Sequence, residues 1–468
     1  MTTISGTNGD DILQSGPGSQ TLLGGEGNDT LIGGTGNRRL RRHPGRDILN
    51  GGAGNDTADF SNVPFAVNAD LAAGTADYLA RVRRFSFFSR RVRVRDRLVS
   101  IENLRGGNRN DRLSGNEQAN ILEGNGGNDI LNGRGGNDTL DGGDGNDTLI
   151  GGKGDDQLLG GAGDDRIIVN NGDGNDTIRG GEGTDVVKVN GAVNVGNTFE
   201  LRTNVTNTGL NFRQENQGQL QLDINEVEQL EVNGGRGNDR LTIVGFTNRE
   251  LKQITFDGGD GNDVLTVETP VSDVLDRGLL PTNPSDSADG GSGDDSPLSS
   301  ANLLDSGTLT VGSASVAIHP NIFADGGAGD DSLTGGSGDD TLIGGTGNDT
   351  LIAGNGDDSL NGGAGDDILI AGRFGNDTLL GGLGADSFNL NARGFADIQD
   401  FNATEGDRIQ IQADSLIGRD FAGLGSTEAL QEALAFDSNS GLLSLNGVQI
   451  ARIQNPIGGF DVADVALV

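Results

Sequence analysis

Carboxylate is almost the whole chemical repertoire of this chain. Its 468 residues include no Cys and two His, His43 and His319, which removes thiolate nucleophiles, disulfide scaffolds and most zinc sites. No His-Glu-x-x-His and no Gly-x-Ser-x-Gly occurs. What recurs, at one phase, is aspartate. Asp11, Asp29, Asp47, Asp56, Asp111, Asp129, Asp138, Asp147, Asp156, Asp165, Asp176, Asp185, Asp331, Asp340, Asp349, Asp358, Asp367, Asp377 and Asp386 each stand sixth in a window reading Gly-Gly-x-Gly-Asn/Asp-Asp-x-Leu-x. Three blocks hold this phase, Gly6 to Asp59, Gly106 to Lys188 and Gly326 to Asn389, and together make 22 windows. Asp fills the sixth position in 19 of them, the exceptions being Gln20, Arg38 and Asn120, and Leu, Ile or Val fills the eighth in 20. Isolated half-windows end at Asp239, Asp263 and Asp295.

An acid fixed in phase beside a glycine turn points to a metal held by oxygen. Carboxylates stacked about 4.8 Å apart, one strand spacing, repel strongly unless neutralised. With no nitrogen or sulfur donors at hand, the ion is a hard one taking 6–8 oxygens, which favours Ca²⁺ over Mg²⁺. The net charge agrees in scale: 69 acidic against 33 basic residues give −36, which 18 divalent ions would cancel. That charge argues against nucleic acid and against a basic membrane-binding face, and no apolar run approaches the ~20 residues of a spanning helix.

These aspartates need a scaffold that sets them side by side. Glycine at three of the first four positions makes a tight turn whose carbonyls can point inward. The x-Leu-x that follows is a minimal strand, and one window cannot bury its single Leu, so windows must stack. Two windows make an 18-residue coil with two parallel sheets, and Leu131, Leu140, Leu149, Leu158 and Ile167 meet in a thin core. Asp129, Asp147 and Asp165 then line one edge, and Asp138 and Asp156 the other. The expected fold is an all-β parallel β-roll or β-helix solenoid with irregular β-rich interruptions and a C-terminal cap. The 83 Gly fall short of the one-third that collagen needs.

The windows resemble the GGxGxDxUx repeats of the RTX, or haemolysin-type, calcium-binding family. That resemblance implies multiple Ca²⁺ ions, about one per well-formed repeat, held by the position-six Asp and turn carbonyls. It also implies a type I exporter as partner, a Sec-independent route to the outside or surface of a bacterium, and folding on contact with external Ca²⁺. Met1 to Asp11 has neither a basic stretch nor an apolar run, as expected without a Sec signal. The tail DVADVALV is similar to uncleaved type I export signals. The chain divides into repeat blocks 1–59, 106–188 and 326–389, β-rich segments 60–105 and 189–325, and a cap over 390–468. In that cap Asp397, Asp400 and Asp407 either bind one more ion or close the roll.

Two basic patches fall outside this pattern. Arg38, Arg39, Arg41, Arg42 and Arg46 form one, and eight Arg between Arg81 and Arg97 the other. An anion or polysaccharide docking face, a bland exposed strand and an out-of-frame stretch are all open readings. The function that results is a secreted, non-enzymatic calcium-binding protein of a surface layer or matrix, with a cell-surface polysaccharide as the further partner class. The alternative is a glycan-acting or hydrolytic enzyme with a carboxylate-based site on the β-coil.

Overall fold

The computed structural model describes residues 2–7, 9–14, 20–26, 29–32, 47–85, 88–203, 209–216, 220–244, 250–268, 320–412, 416, 427–462 and 465–467. The first arginine patch with His43, the loop 281–300 with Asp295, and His319 lie outside them. Two sheets run the length of the stack, and successive windows alternate between them. Thr148–Lys153 pairs in parallel with Ile130–Gly135 and Arg166–Asn170 in one sheet. Thr139–Asp144 pairs with Ile121–Gly126 and Gln157–Ala162 in the other. Partners are 18 residues apart, Leu131 beside Leu149 and Leu140 beside Leu158. Those four and Ile167 are fully buried between the sheets.

The strands are longer than the x-Leu-x expected. Thr148–Lys153 spans six residues, burying Leu149 and Gly151 in alternation. An inward-facing glycine has no side chain to hold the sheets apart, so backbone pairing continues into the turn. Position two then takes a left-handed φ, +98° at Gly143, as does position four, +126° at Gly145, a region costly for other residues.

The two β-rich segments are built alike. In the first, Val67–Asp70, Thr75–Phe85 and Phe88–Val99 form an antiparallel meander spliced into one sheet, between Ile48–Ala53 and Arg112–Ser114. The other sheet runs on, from Thr57–Asp59 directly to Asn103–Arg105. In the second the roles reverse. Thr198–Thr203, Gly209–Gln214 and Leu220–Asn225 are spliced between Asn175–Glu182 and Arg240–Val244, while Val186–Asn190 pairs directly with Gln229–Arg236. Across residues 269–319 the register holds, with Gln253–Asp260 beside Asn321–Ala328.

The C-terminal segment closes the stack. Leu434–Asp437, Leu442–Leu445 and Val448–Ile453 fold into an antiparallel meander that pairs with Phe395–Ile398, and the short helix Thr427–Ala433 precedes it. Phe388, Phe401, Phe460 and Phe436 stack in turn over the last rung, with centroid separations of 4.9–6.3 Å. This covers apolar side chains that an open end would expose.

Candidate metal centres

Every turn brings its position-six aspartate to the edge, and all of the predicted residues except Asp11 are buried. Aspartates 18 residues apart join in ladders. Asp111 N–H donates to Asp129 Oδ1 at 2.6 Å, Asp129 to Asp147 at 2.6 Å, Asp147 to Asp165 at 2.7 Å and Asp165 to Asp185 at 2.8 Å. On the opposite edge Asn120, Asp138, Asp156 and Asp176 are linked in the same way. The N-terminal block joins Asp11 to Asp29 and Asp29 to Asp56, and Asp47 donates to Asp96. Asp239, Asp263, Asp331, Asp349, Asp367 and Asp386 form one continuous ladder, and Asp340, Asp358 and Asp377 another. The two-edge arrangement expected from the repeat is therefore present, and it passes through segments where the repeat is lost.

These ladders use only one oxygen of each carboxylate. Oδ2 is buried and has no hydrogen-bond donor among the described residues at Asp29, Asp56, Asp129, Asp138, Asp147, Asp156, Asp165, Asp185, Asp239, Asp263, Asp331, Asp340, Asp349, Asp358, Asp367 and Asp386. A buried, unpartnered carboxylate oxygen is costly, and sixteen in one chain call for a cation. Carbonyls converge on the same points. A Cβ projecting from Gly326 would meet Asp331 Oδ2 and lie 2.8 Å from the Gly344 carbonyl oxygen. At Gly142 and Gly362 the equivalent oxygens, from Asp147 with Gly160 and from Asp367 with Gly381, crowd that position more closely. Buried carboxylate and carbonyl oxygens brought together without a donor are the hard-oxygen ligands that calcium takes, so the donor set suits a calcium ion. No three His, Cys, Asp or Glu side chains converge among the described residues, because the donor set is carboxylate plus backbone carbonyl.

Two amides serve as internal controls. At Asn120 the acid's place is taken by a side chain whose Nδ2 donates to the Glu102 carbonyl at 2.7 Å. At Asn197 Nδ2 donates to the carbonyls of Ala192, Val195 and Gly234 and to Asp239 Oδ1, within 2.8–3.1 Å. At Asn197 the nitrogen takes the Gly234 carbonyl, whereas at Asn120 the amide oxygen keeps the place beside the Gly133 carbonyl and the nitrogen turns to Glu102.

The electrostatics lead to the same point. Burial pushes the carboxyls up, and neighbouring acids add to it, to about 8 at Asp340, about 7 at Asp129, Asp138 and Asp165, and about 6 at Asp147. Asp111, Asp176 and Asp377 lie in the same ladders but are not among the sixteen, and Gly107 and Gly372 N–H donate to Oδ2 of Asp111 and Asp377. Asp11 sits at the exposed start, its Oδ2 taken by Thr7.

Three further ladder acids are not singled out by the repeat, and a fourth, Asp407, is one of the cap acids. Asp96, Glu102 and Glu228 accept from Asp47, Asp56 and Asp185 N–H, and Asp407 accepts from Asp386 N–H. Each is followed by the x-apolar pair of the window, as in Glu102-Asn103-Leu104 and Glu228-Gln229-Leu230. That signal was available without glycine. In the cap, Asp400 accepts from Gly381 and Gly382 N–H and Asp397 from Gln454, so Asp400 and Asp407 end the roll.

The family model described as RTX calcium-binding nonapeptide repeat (4 copies) matches residues 5–40, 44–59, 105–140, 141–173, 168–191, 255–267, 323–351, 343–374 and 369–392. The blocks are RTX calcium-binding nonapeptide repeats. RTX repeats bind Ca²⁺, in keeping with the oxygen cradles along both edges. The matches include 255–267, which ends an isolated RTX half-window at Asp263. Among solved structures the chain is similar to the extracellular lipase LipA from Serratia marcescens at 19% identity and a TM-score of 0.15, covering 49% of this chain. It spans 38% of that lipase's length. No curated protein matches. Among the described residues no helix is long and apolar enough to cross a membrane.

Proposed function

We propose that this chain is a secreted β-roll protein that folds on binding Ca²⁺ outside the cell and serves a structural role at a surface or in a matrix. The observation that carries this reading is the row of buried, donorless Asp Oδ2 atoms facing turn carbonyls. The proposed ligands are the position-six aspartates from Asp11 to Asp386, with Asp239 and Asp263, and the position-one carbonyls of neighbouring turns. Bound there, calcium would supply the positive charge that lets the turns stack, so binding and folding are one equilibrium. Export through a type I exporter and the division into three blocks, two meander segments and a cap belong to the same proposal. Circular dichroism of the full chain at pH 8 tests it: little ordered structure in chelator and a β spectrum in millimolar Ca²⁺. A spectrum indifferent to chelator would refute it.

A carboxylate-based glycan-acting site is the competing reading, and one arrangement gives it a place. Glu123 and Asp141 are register partners on adjacent strands, beside a groove of about 500 Å³ also lined by Arg105 and Asn125. Arg105 pairs with Glu123, while burial and then the Glu123 charge push the Asp141 carboxyl up. Two carboxyls facing one groove are the groups glycoside hydrolysis uses. Release of reducing ends from a polysaccharide, lost in Asp141→Asn, would favour this reading over the first.

A further inference from the structure

The second arginine patch has a shape of its own. Thr75–Phe85 and Phe88–Val99 form a two-stranded ribbon, and only its base pairs with other strands, at Thr75 to Tyr78 on one side and Arg97 to Val99 on the other. Beyond that base the two strands pair only with each other among the described residues. The ribbon carries eight Arg against two acids, Asp77 and Asp96. Asp96 is buried in the ladder with Asp47, so Asp77 alone faces the patch, where it pairs with Arg95 at 2.8 Å. Arg81 and Arg91 are direct register partners, a like-charge pairing that sheets avoid unless something else answers it.

Beside the ribbon's base lies an open trough of about 510 Å³. Register places Arg112, Asn68, Asp77 and Arg95 in one row across four strands. Arg93, Asn110 and Leu79 also line it, and of these seven all except Asp77 are exposed. Arg93 and Arg112 have no carboxylate partner among the described residues. Their forked guanidiniums suit carboxylates, the Asn68 and Asn110 amides suit hydroxyls, and Leu79, 41% exposed, suits the C–H face of a sugar ring.

We propose that the ribbon Thr75–Val99 and its trough bind a chain of acidic sugars, whose carboxylates Arg93, Arg95 and Arg112 receive. Other polyanions fit less well. A duplex or a lipid surface presents a face broader than the trough of about 510 Å³, whereas one polysaccharide strand needs only the ribbon and its trough. No aromatic ring lies exposed in the trough for bases to stack on. Tyr78, which lines it, is 3% exposed.

The proposal rests on the extracellular reading only for where such a polymer is met. The test therefore uses purified full chain in millimolar Ca²⁺, with hyaluronate oligosaccharide as probe and uncharged dextran as control. Hyaluronate should bind, more weakly as salt rises, and dextran should not. Arg93→Gln with Arg112→Gln should weaken binding at least tenfold, and Asn68→Ala with Leu79→Ser several-fold with the salt dependence kept. Both variants should keep the wild-type Ca²⁺-induced spectrum. Absent hyaluronate binding, or equal affinity in the Arg93/Arg112 variant, would overturn the proposal. Tighter binding of duplex DNA or of phosphatidylglycerol vesicles, indifferent to Asn68 and Leu79, would also overturn it, as would self-association that the arginine substitutions abolish. A failure of calcium-dependent folding would show in the spectrum, separate from any of these.

Discussion

Without calcium, protons should hold this fold together. Fourteen position-six aspartates between Asp129 and Asp386 are pushed up to between about 6 and 8, by burial first. In the unfolded chain the same carboxyls titrate near ~3.9. At pH 5, above the isoelectric point of 4.2, the folded chain thus keeps about fourteen protons that the unfolded chain has released. Each such difference tilts stability by about 1.4 kcal/mol per pH unit, and fourteen by on the order of 20 kcal/mol. Solvent outside the turns screens part of this, and half the slope still rivals the ~5–15 kcal/mol that holds an ordinary domain. The sign follows from folded values raised above unfolded ones. The contribution is complete below about pH 4 and is lost as pH rises through 6 to 8. In calcium-free buffer, circular dichroism should show β structure at pH 5 that melts steeply by pH 8, while millimolar Ca²⁺ preserves it at pH 8. Calcium added near pH 6.5 should release protons, measurable with an indicator dye. A calcium-free spectrum as ordered at pH 8 as at pH 5, or calcium uptake without proton release, would refute the reasoning.

Three further outcomes follow from single features. Asn197→Asp replaces an amide nitrogen that donates to the Gly234 carbonyl with an oxygen, so calorimetry should count one more calcium ion; an unchanged count would contradict the cradle. Gly142→Ala puts a methyl where Asp147 Oδ2 and the Gly160 carbonyl converge and should remove one ion. Gly172→Ala, at φ +81° with no atom near its Cβ, should cost about 1 kcal/mol of strain and no ion. Replacing residues 269–319 with a six-residue Gly/Ser linker should leave the calcium midpoint within twofold, because Asp263 already donates to Asp331 Oδ1 at 2.5 Å and loop length costs only ~0.6 kcal/mol per doubling. A collapse of calcium-induced structure would show that the segment is needed.

The repeat itself is legible because it states two periods at once. Leu at position eight sets which face is buried, and the 18-residue return sets which aspartates share an edge, so Asp129 with Asp147 and Asp138 with Asp156 could be placed without coordinates. The meanders were not legible in that way. Their strands alternate visibly, but nothing local says that Val67–Asp70 to Phe88–Val99 enters one sheet and Thr198–Thr203 to Leu220–Asn225 the other. That choice depends on which edge the chain has reached when the repeat stops. Glu102 and Glu228 were hidden for a related reason. An acid-x-apolar triplet without its glycines is hard to tell from chance in a chain with 69 acids, and their partners Asp56 and Asp185 lie 46 and 43 residues away.

The two glutamates bear on how a repeat can be interrupted at all. Each ladder links a turn only to the next turn on its own edge, so the stack is a pair of interleaved one-dimensional arrays, stabilised by neighbours alone. When a meander is spliced into one sheet, the other sheet must carry its ladder across with no glycine turn to deliver the acid. At both junctions the running sheet does so with glutamate: Asp56 N–H reaches Glu102 ahead of Asn103–Arg105, and Asp185 N–H reaches Glu228 ahead of Gln229–Arg236. Neither glutamate follows a Gly-Gly-x-Gly turn, nor does Asp96, which accepts from Asp47 N–H, so an acid holds its rung without the turn. The backbone hydrogen bond is kept, and beside Asp56 and Asp185 the carbonyls of Ser100 and Glu226 stand where a position-one glycine carbonyl otherwise does. Interruptions of this kind therefore preserve both the register and the carbonyl that faces the last aspartate. That is why a chain with long non-repeat segments can still stack as one body from the first block to the cap.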